Sequence, residues 1–370
     1  DKGNFIKPGF LPLTVGPTIV GLLGWGRNQY GKLGLGNSTN YSSPVQVGGL
    51  TTWLNISAGK YHSIVTKSDG TLWTWGSGGQ GQLGHGNLTN ISSPVQVGAL
   101  TTWLNVSGGA YHSIATKTDG TLWTWGYNLQ GQLGDGSTTR SSSPAQVGAL
   151  TTWLNIAGGK YFTLATKTDG TLWAFGYNGE GQLGQGNTTN YSSPVQVGAL
   201  TTWSKISCGV KFSIATKTDG TLWTWGDNGF GQLGDGSTTD RSSPVQVGAL
   251  TTWLQASGGY HTASVKTDGT LWAWGMNDQG ELGQGNTTYY SSPVQVGALT
   301  TWDAVSSGTE HIIATQTDGA LWAIGRNTWG QLGDSSVTSR SSPVQIGSLT
   351  TWSTLSGSCT WYTSMAIDSA

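Results

Sequence analysis

A seven-bladed β-propeller is the fold class this sequence predicts, and three observations predict it. The first is a repeat of about fifty residues that runs through most of the 370-residue chain. Its Trp-Gly step falls at Trp25-Gly26, Trp75-Gly76, Trp125-Gly126, Phe175-Gly176, Trp225-Gly226, Trp274-Gly275 and Ile324-Gly325. Its Thr-Trp step ends at Trp53, Trp103, Trp153, Trp203, Trp253, Trp302 and Trp352, so each series counts seven. A period of this length marks an array of supersecondary units, none of which buries its apolar faces alone. The second observation is that each unit carries four short β-type segments. The third is that the two chain ends carry complementary fractions of a unit, which closes the ring and removes two sheet edges.

Each element has its own reason. In one unit the segments are Pro94–Val97, Trp103–Ser107, His112–Lys117 and Thr121–Trp125. The third and fourth are joined by Thr118-Asp119-Gly120-Thr121, an Asp-Gly pair expected to form a type I′ hairpin turn. The pair recurs at Asp69-Gly70, Asp169-Gly170, Asp219-Gly220, Asp268-Gly269 and Asp318-Gly319, which assigns six of the 18 acidic residues to turns. In Leu122-Trp123-Thr124-Trp125 both alternating faces are substantially apolar, as a sheet packed between two neighbours requires. The chain holds 20 Trp. Each one buried removes roughly 150–250 Å² from water, an upper bound of about 4–6 kcal/mol. At the ends, Leu22–Trp25 reads as the last strand of a unit, and Pro343–Ile346, Trp352–Leu355 and roughly Tyr362–Ile367 as the first three. Residues 1–20, with Pro8, Pro12 and Pro17, match no repeat and read as an irregular arm before a single propeller domain over 21–370.

Composition narrows the function. Asp, Glu, Lys and Arg make up 9% of the chain and net −1. A nucleic-acid partner needs a basic stripe to neutralise phosphates, and none appears. No apolar run is long enough for a transmembrane helix, so membrane insertion is not expected. Solubility rests on Ser, Thr, Asn, Gln and 60 Gly, a surface more typical of an extracellular, cell-surface or virion protein. The chain begins at Asp1 rather than Met and is expected to be a processed product or a piece of something longer. Cys208 and Cys359 lie in non-adjacent units and read as buried thiols rather than a disulfide framework.

Residue types that could carry chemistry mostly read as scaffold. His62, His112, His261 and His311 share a repeat position that Phe162 and Phe212 fill elsewhere, so the position packs a ring rather than binding metal. Gly81-Gln82-Leu83-Gly84-His85-Gly86 superficially looks like a phosphate loop, yet no helix follows it. Asp135, Asp235 and Asp334 sit on alternate units, too far apart for paired acid–base work, and calcium capture by one such loop stays open. Sequons at Asn37, Asn87, Asn187 and Asn286, and at Asn55 and Asn105 in strands, read as by-products of the repeat. No catalytic, cofactor or metal residues are assigned, and the chain is not expected to be an enzyme.

The His-Ser/Thr-Ile-Ala-Thr segment, then Asp-Gly-Thr-Leu-Trp-Thr-Trp-Gly, then Asn-x-x-Gly-Gln-Leu-Gly, resembles the regulator of chromosome condensation repeat family over about residues 21–367. The resemblance implies a seven-bladed propeller whose termini share a blade. The family's nuclear exchange factor carries a β-wedge insertion and a basic tail, and this chain has neither. The layout is nearer to secreted bacterial and phage members, β-lactamase inhibitor protein II among them.

Comparison of the repeats within the chain separates the two faces. Because antiparallel strands alternate in direction, the Gly-Ala-Leu-Thr-Thr connection and the Asp-Gly turn share one face, and both are nearly invariant. The other face varies: Lys60-Tyr61, Ala110-Tyr111, Lys160-Tyr161, Val210-Lys211, Tyr260 and Thr309-Glu310 in one loop. In the longer loop the variable residues include Arg27, Tyr30, Tyr127, Tyr177, Phe230, Arg326 and Trp329. Aromatic and Arg residues at loop tips are the types enriched in binding hot spots. The candidate site is therefore Arg27, Tyr30, Lys60, Tyr61, Tyr127, Tyr177, Phe230, Arg326 and Trp329. Its expected ligand is a protein or glycan. The alternative is a structural module of a larger appendage or self-assembling array.

Overall fold

Sheets that are apolar on both faces must pack on both sides, and here they pack on each other. The computed structural model describes residues 21–49, 52–356 and 361–369, which form seven four-stranded antiparallel sheets. Blade one runs Trp53–Ala58, His62–Lys67, Leu72–Gly76 and Ile91–Gln96 in spatial as well as chain order. The first strands of successive blades touch one another around the ring, so they line the axis and the fourth strands face outwards. The arm expected over residues 1–20 and Cys359 both lie outside the described residues, while Cys208 is buried.

The blade boundary differs from the one the repeat suggested. The Ser-Ser-Pro-Val-Gln segment is the outer strand of the preceding blade: Ile91–Gln96 pairs with Leu72–Gly76, not with Trp103–Gly108. The closing blade therefore takes two strands from each end, Gly21–Gly26 and Tyr41–Gln46 with Trp352–Leu355 and Thr363–Asp368. The seam is the ladder from Gly21↔Asp368 to Gly26↔Thr363. Arg340–Gln345, expected in that blade, completes blade six instead. Hydrophobic periodicity reveals strands but not which neighbour each one pairs with.

The Asp-Gly turns also differ. Gly70 has φ 76°, but Asp69 is not among the positive-φ residues, which rules out a type I′ turn. The Gly70 N–H donates to Lys67 O at 2.9 Å and the Lys67 N–H to Thr71 O at 3.0 Å, a three-residue loop with glycine in the left-handed position. The carboxylate sets this geometry. Asp69 Oδ1 accepts from the Thr71 N–H at 3.0 Å and the Thr71 hydroxyl at 2.6 Å, and Thr71 Oγ1 accepts from Trp73 Nε1.

Seven apolar clusters, one at each blade interface, make up the core. Between blades one and two, Ile64, Leu72, Val97, Trp103, Ala115 and Trp125 pack together. Trp125 is fully buried, and its Nε1 donates to Gln82 O in the loop of blade one. Trp123 is only partly buried, with Lys117 Nζ 3.6 Å from its ring centroid. The histidines are scaffold, as expected. His62 Nε2 meets Ser113 Oγ across the interface at 2.8 Å, and the same contact recurs at His112–Thr163 and His311–Ser364.

Candidate functional site

Six of the seven longer variable loops are held by one buried Asn each, and blade one carries Gly78 in its place. Asn128 Oδ1 accepts from the Leu133 N–H, and Asn128 Nδ2 donates to Ser137 O and Thr139 O. Asn28, Asn178, Asn228, Asn277 and Asn327 are equally buried and hold the equivalent N–H of their own loops. A rigid staple beneath a variable tip is what lets tips differ without disturbing the blade. This Asn belongs to the repeated motif, but its type alone did not mark it as the residue that orders the loop.

The shorter loops, between first and second strands, converge on the axis. Ala110 N–H donates to Gly159 O, Lys160 N–H to Val210 O, Val210 N–H to Gly259 O and Tyr260 N–H to Thr309 O. Across this ring lies Trp361. Its indole is 6.5 Å from the ring of Tyr260 in blade five, and Lys60 Nζ of blade one lies 4.0 Å from its centroid. The fully buried Lys32 donates to Trp361 O and Lys60 O beneath it. Burial first, then Arg27 and Lys60, holds its pKa well below the usual lysine range. Below this ring the channel holds a cavity of about 550 Å³, lined by residues including Asn105, Asn155, Lys205 and Gln255. Asn55, Asn105, Asn155 and Gln255 each donate to a carbonyl of the next inner strand, so the strand sequons at Asn55 and Asn105 are occupied by structure.

The predicted residues fall on this face and are drawn into two groups. Tyr30, Tyr61, Tyr111, Tyr161, Tyr127 and Tyr177 form a chain of ring contacts with centroids 5.5–6.5 Å apart, crossing from blade seven to blade three. Lys60 Nζ donates to Tyr111 Oη at 3.1 Å. Tyr30 is 42% exposed and has φ 64°, a left-handed conformation that is costly for a bulky residue. Arg27 lies over the ring of Trp329 at 4.8 Å. On the far side Phe230 packs edge-on against Tyr260 and Tyr289, and Arg326 pairs with Glu310 and lies over the ring of Tyr362. Phe230 and Trp329 are half-buried against these neighbours rather than standing free as loop tips.

Charge is unevenly shared between the two groups. Arg27, Lys32, Lys60 and Lys160 lie with the tyrosine arc, whose blade-three end also carries the Glu180–Lys211 pair, whereas Asp278, Glu281 and the Arg326-paired Glu310 lie opposite. Glu281 replaces the buried Gln of five other blades; burial, with Glu310 and Asp278 nearby, pushes its carboxyl up to about 8. Lys160 is pulled below the ordinary lysine value by burial, then by Lys211 and Lys60. Asp235 and Asp334, left open as calcium ligands, are each paired with an Arg, Arg241 and Arg340. Among the described residues no group of three or more His, Cys, Asp or Glu could hold a metal ion.

The opposite face is uniform, as expected, but it is not polar. Leu100, Leu150, Leu200, Leu250, Leu299 and Leu349 of the Gly-Ala-Leu-Thr-Thr type connections are exposed, as are Leu54, Leu104, Leu154 and Leu254 at the channel mouth. Repeat comparison finds variation, so a property that every repeat shares escaped it. Trp361 and Tyr362 were missed because the seventh unit has a longer loop before them in the sequence, although they stand where Lys60 and Tyr61 stand in blade one; Tyr289 lies beyond the loop positions compared.

Residues 20–259 match the family model described as an RCC1-like domain, and residues 268–315 and 318–367 match the regulator of chromosome condensation (RCC1) repeat. No curated protein sequence matches. Human WBSCR16 superposes with a TM-score of 0.84 at 19% identity, over 95% of this chain and 99% of that one. Prp20p from Saccharomyces cerevisiae, in a structure described with its binding to Gsp1p and histones, gives 0.82 at 19% identity over 95% and 92%. Yeast RCC1 (Prp20) bound to Kap60 gives 0.81 at 18% over 100% and 97%. At these identities the likeness is one of fold.

Proposed function

The chain belongs to the regulator of chromosome condensation (RCC1) repeat family, and from that premise we propose that it is a non-enzymatic scaffold that binds a partner through the variable-loop face. The observation that carries the reading is the continuous aromatic and cationic surface over four blades. Tyr, Trp and Arg dominate binding hot spots because they offer large contact area with little conformational freedom to lose. Protein rather than glycan is the favoured ligand, in keeping with the protein partners that Prp20 binds. The scarcity of charge and the hydroxyl- and amide-rich composition support a place outside the cell or on a virion. The test is capture from candidate surface extracts on the immobilised protein, beside a Tyr30→Ala/Trp329→Ala variant. A partner retained equally by both removes the variable face from the reading.

A structural module is the second reading, and the exposed leucines favour it. Apolar surface repeated around one face marks interaction surface more often than idle exposure. Sedimentation equilibrium decides it: a stable monomer up to high concentration leaves this reading without support.

A further inference from the structure

Resting on the binding reading above, we propose that the tyrosine-lined half of the variable face, with Arg27, Lys60 and Lys160, docks an acidic polypeptide segment. The four ion pairs among the described residues use Lys211, Arg241, Arg326 and Arg340. Arg27, Lys60 and Lys160 lie instead over aromatic rings, against Trp329, against Tyr61, Tyr111 and Trp361, and against Tyr161. They are held in place, half-buried and, among the described residues, in no ion pair; the carboxylate near Lys160, Glu180, is taken by Lys211. A cation in that state gains more from an incoming anion than a freely solvated one, because part of its desolvation has already taken place.

The rings favour the same ligand. Of the contacts along the arc only Tyr111–Tyr161 is stacked, at an interplanar angle of 7°; the others are tilted or edge-on. Lys60 lies over the rings of Tyr61 and Tyr111 and Lys160 over that of Tyr161, so a face of each of these rings is already taken by a cation. Sugar stacking needs a free ring face, so the arrangement favours a polypeptide carboxylate over a glycan. At its blade-three end the arc opens on a cavity of about 250 Å³ lined by Lys160, Tyr161, Tyr177, Gln130, Gln182 and Lys211, enough for one side chain. On the far half the Asp278 carboxylate repels the same ligand, which disfavours placement there.

The test uses a fluorescein-labelled twenty-residue poly-L-glutamate in fluorescence anisotropy at low and physiological salt. Saturable binding is expected, weakened roughly tenfold or more in Lys60→Gln/Lys160→Gln, with a shallower salt dependence. Lys117→Gln, on the opposite face, should bind like the parent, and matched thermal melts confirm that both variants are folded. Absence of saturable binding, or equal weakening by Lys117→Gln, overturns the proposal. So does tighter binding of hyaluronate with the same variant dependence, which would make the ligand a glycan. Self-association abolished by the lysine variants without peptide binding would make it a second copy of the chain. If partner capture depends on Tyr30 and Trp329 but ignores the lysine changes, this inference fails while the scaffold reading stands.

Discussion

Acid should open the ring through its four interface histidines. Burial holds His62, His112, His261 and His311 down to about 3, with charged neighbours adding to the shift for all but His261. A base whose pKa is lowered by folding stays neutral in the native state, while the unfolded chain takes up protons below about 6.5. The stability these residues contribute is therefore fully present above pH 6.5 and is lost as pH falls towards 3. At pH 4.5 each unfolded imidazole lies about two pH units below its pKa, which favours the unfolded state by about 3 kcal/mol. Four sites sum to on the order of 10 kcal/mol, against about 5–15 kcal/mol for an ordinary domain.

Phenylalanine is the natural control, since Phe162 and Phe212 occupy the same position. A Cβ built on Gly109 would come within 2.1 Å of His112 Cε1, and one built on Gly159 within 2.0 Å of Phe162 Cε1, so both rings fill the same space. The hydroxyl across the interface tolerates the change: Ser213 faces Phe162 and donates to Gln182 O, as Ser113 donates to Gln82 O. Circular-dichroism melts should show the parent losing thermal stability steeply between pH 6 and 4.5. The fourfold His→Phe variant should hold or gain stability down to about pH 4, as the buried Glu281 carboxyl favours the folded state at lower pH, and then fall as Asp69, Asp119, Asp169, Asp219 and Asp268 protonate. Those carboxylates are held below their usual value chiefly by a Thr hydroxyl, so their stabilisation is lost only as pH falls further. Parallel decline of parent and variant between pH 6.5 and 4.5 would refute the argument.

Three further outcomes follow from the packing. His261→Phe alone should be neutral or stabilising at pH 7, because Ile312 replaces the hydroxyl across the interface and both ring nitrogens are unsatisfied; a loss above about 1 kcal/mol in urea unfolding would contradict this. Trp125→Ala should cost about 3–5 kcal/mol by the same measurement, since it empties the interface of blades one and two and leaves Gln82 O without its indole donor. Deleting residues 1–26 should lower the melting temperature sharply, because it removes the strand between Thr363–Asp368 and Tyr41–Gln46 and unpairs both; an unchanged melt would mean the ring does not depend on that seam.

Much of the fold was legible because each repeat restates it. Four segments per fifty residues, apolar on both faces, leave few ways to bury twenty indoles other than a closed ring. What was not legible depends on pairing between segments. The Ser-Ser-Pro-Val-Gln strand is equally amphipathic whichever blade it joins, and only its ladder to Leu72–Gly76 assigns it. Asp69 likewise looks like half of a type I′ turn until its carboxylate is seen closing on Thr71. For the site, sequence comparison found which loops vary, but not that Tyr30 and Tyr61 touch or that Trp361 lies across the axis.

The Gln of Gly-Gln-Leu-Gly shows how a near-identical array acquires a direction. In five blades, Gln82, Gln132, Gln182, Gln232 and Gln331 accept the N–H two residues earlier in their loops. Blade seven carries Lys32 there and blade five Glu281, two ionisable groups whose burial disfavours the charged form of each. Glu281 Oε2 keeps the inherited hydrogen bond from Gln279, and Oε1 is left buried and unsatisfied. A carboxylic acid mimics the amide only while protonated. With its folded value raised to about 8, the native state holds a proton that the unfolded chain releases above about 4.5, so stability declines as pH rises between those values. Glu281→Gln should remove that decline, gaining roughly 2–4 kcal/mol near pH 8 and little at pH 4.5. Urea midpoints at the two pH values measure it. If the Glu281→Gln variant is stabilised equally at both, the carboxyl is ionised in the native state, and the acidic half of the face is more strongly charged than its burial implies.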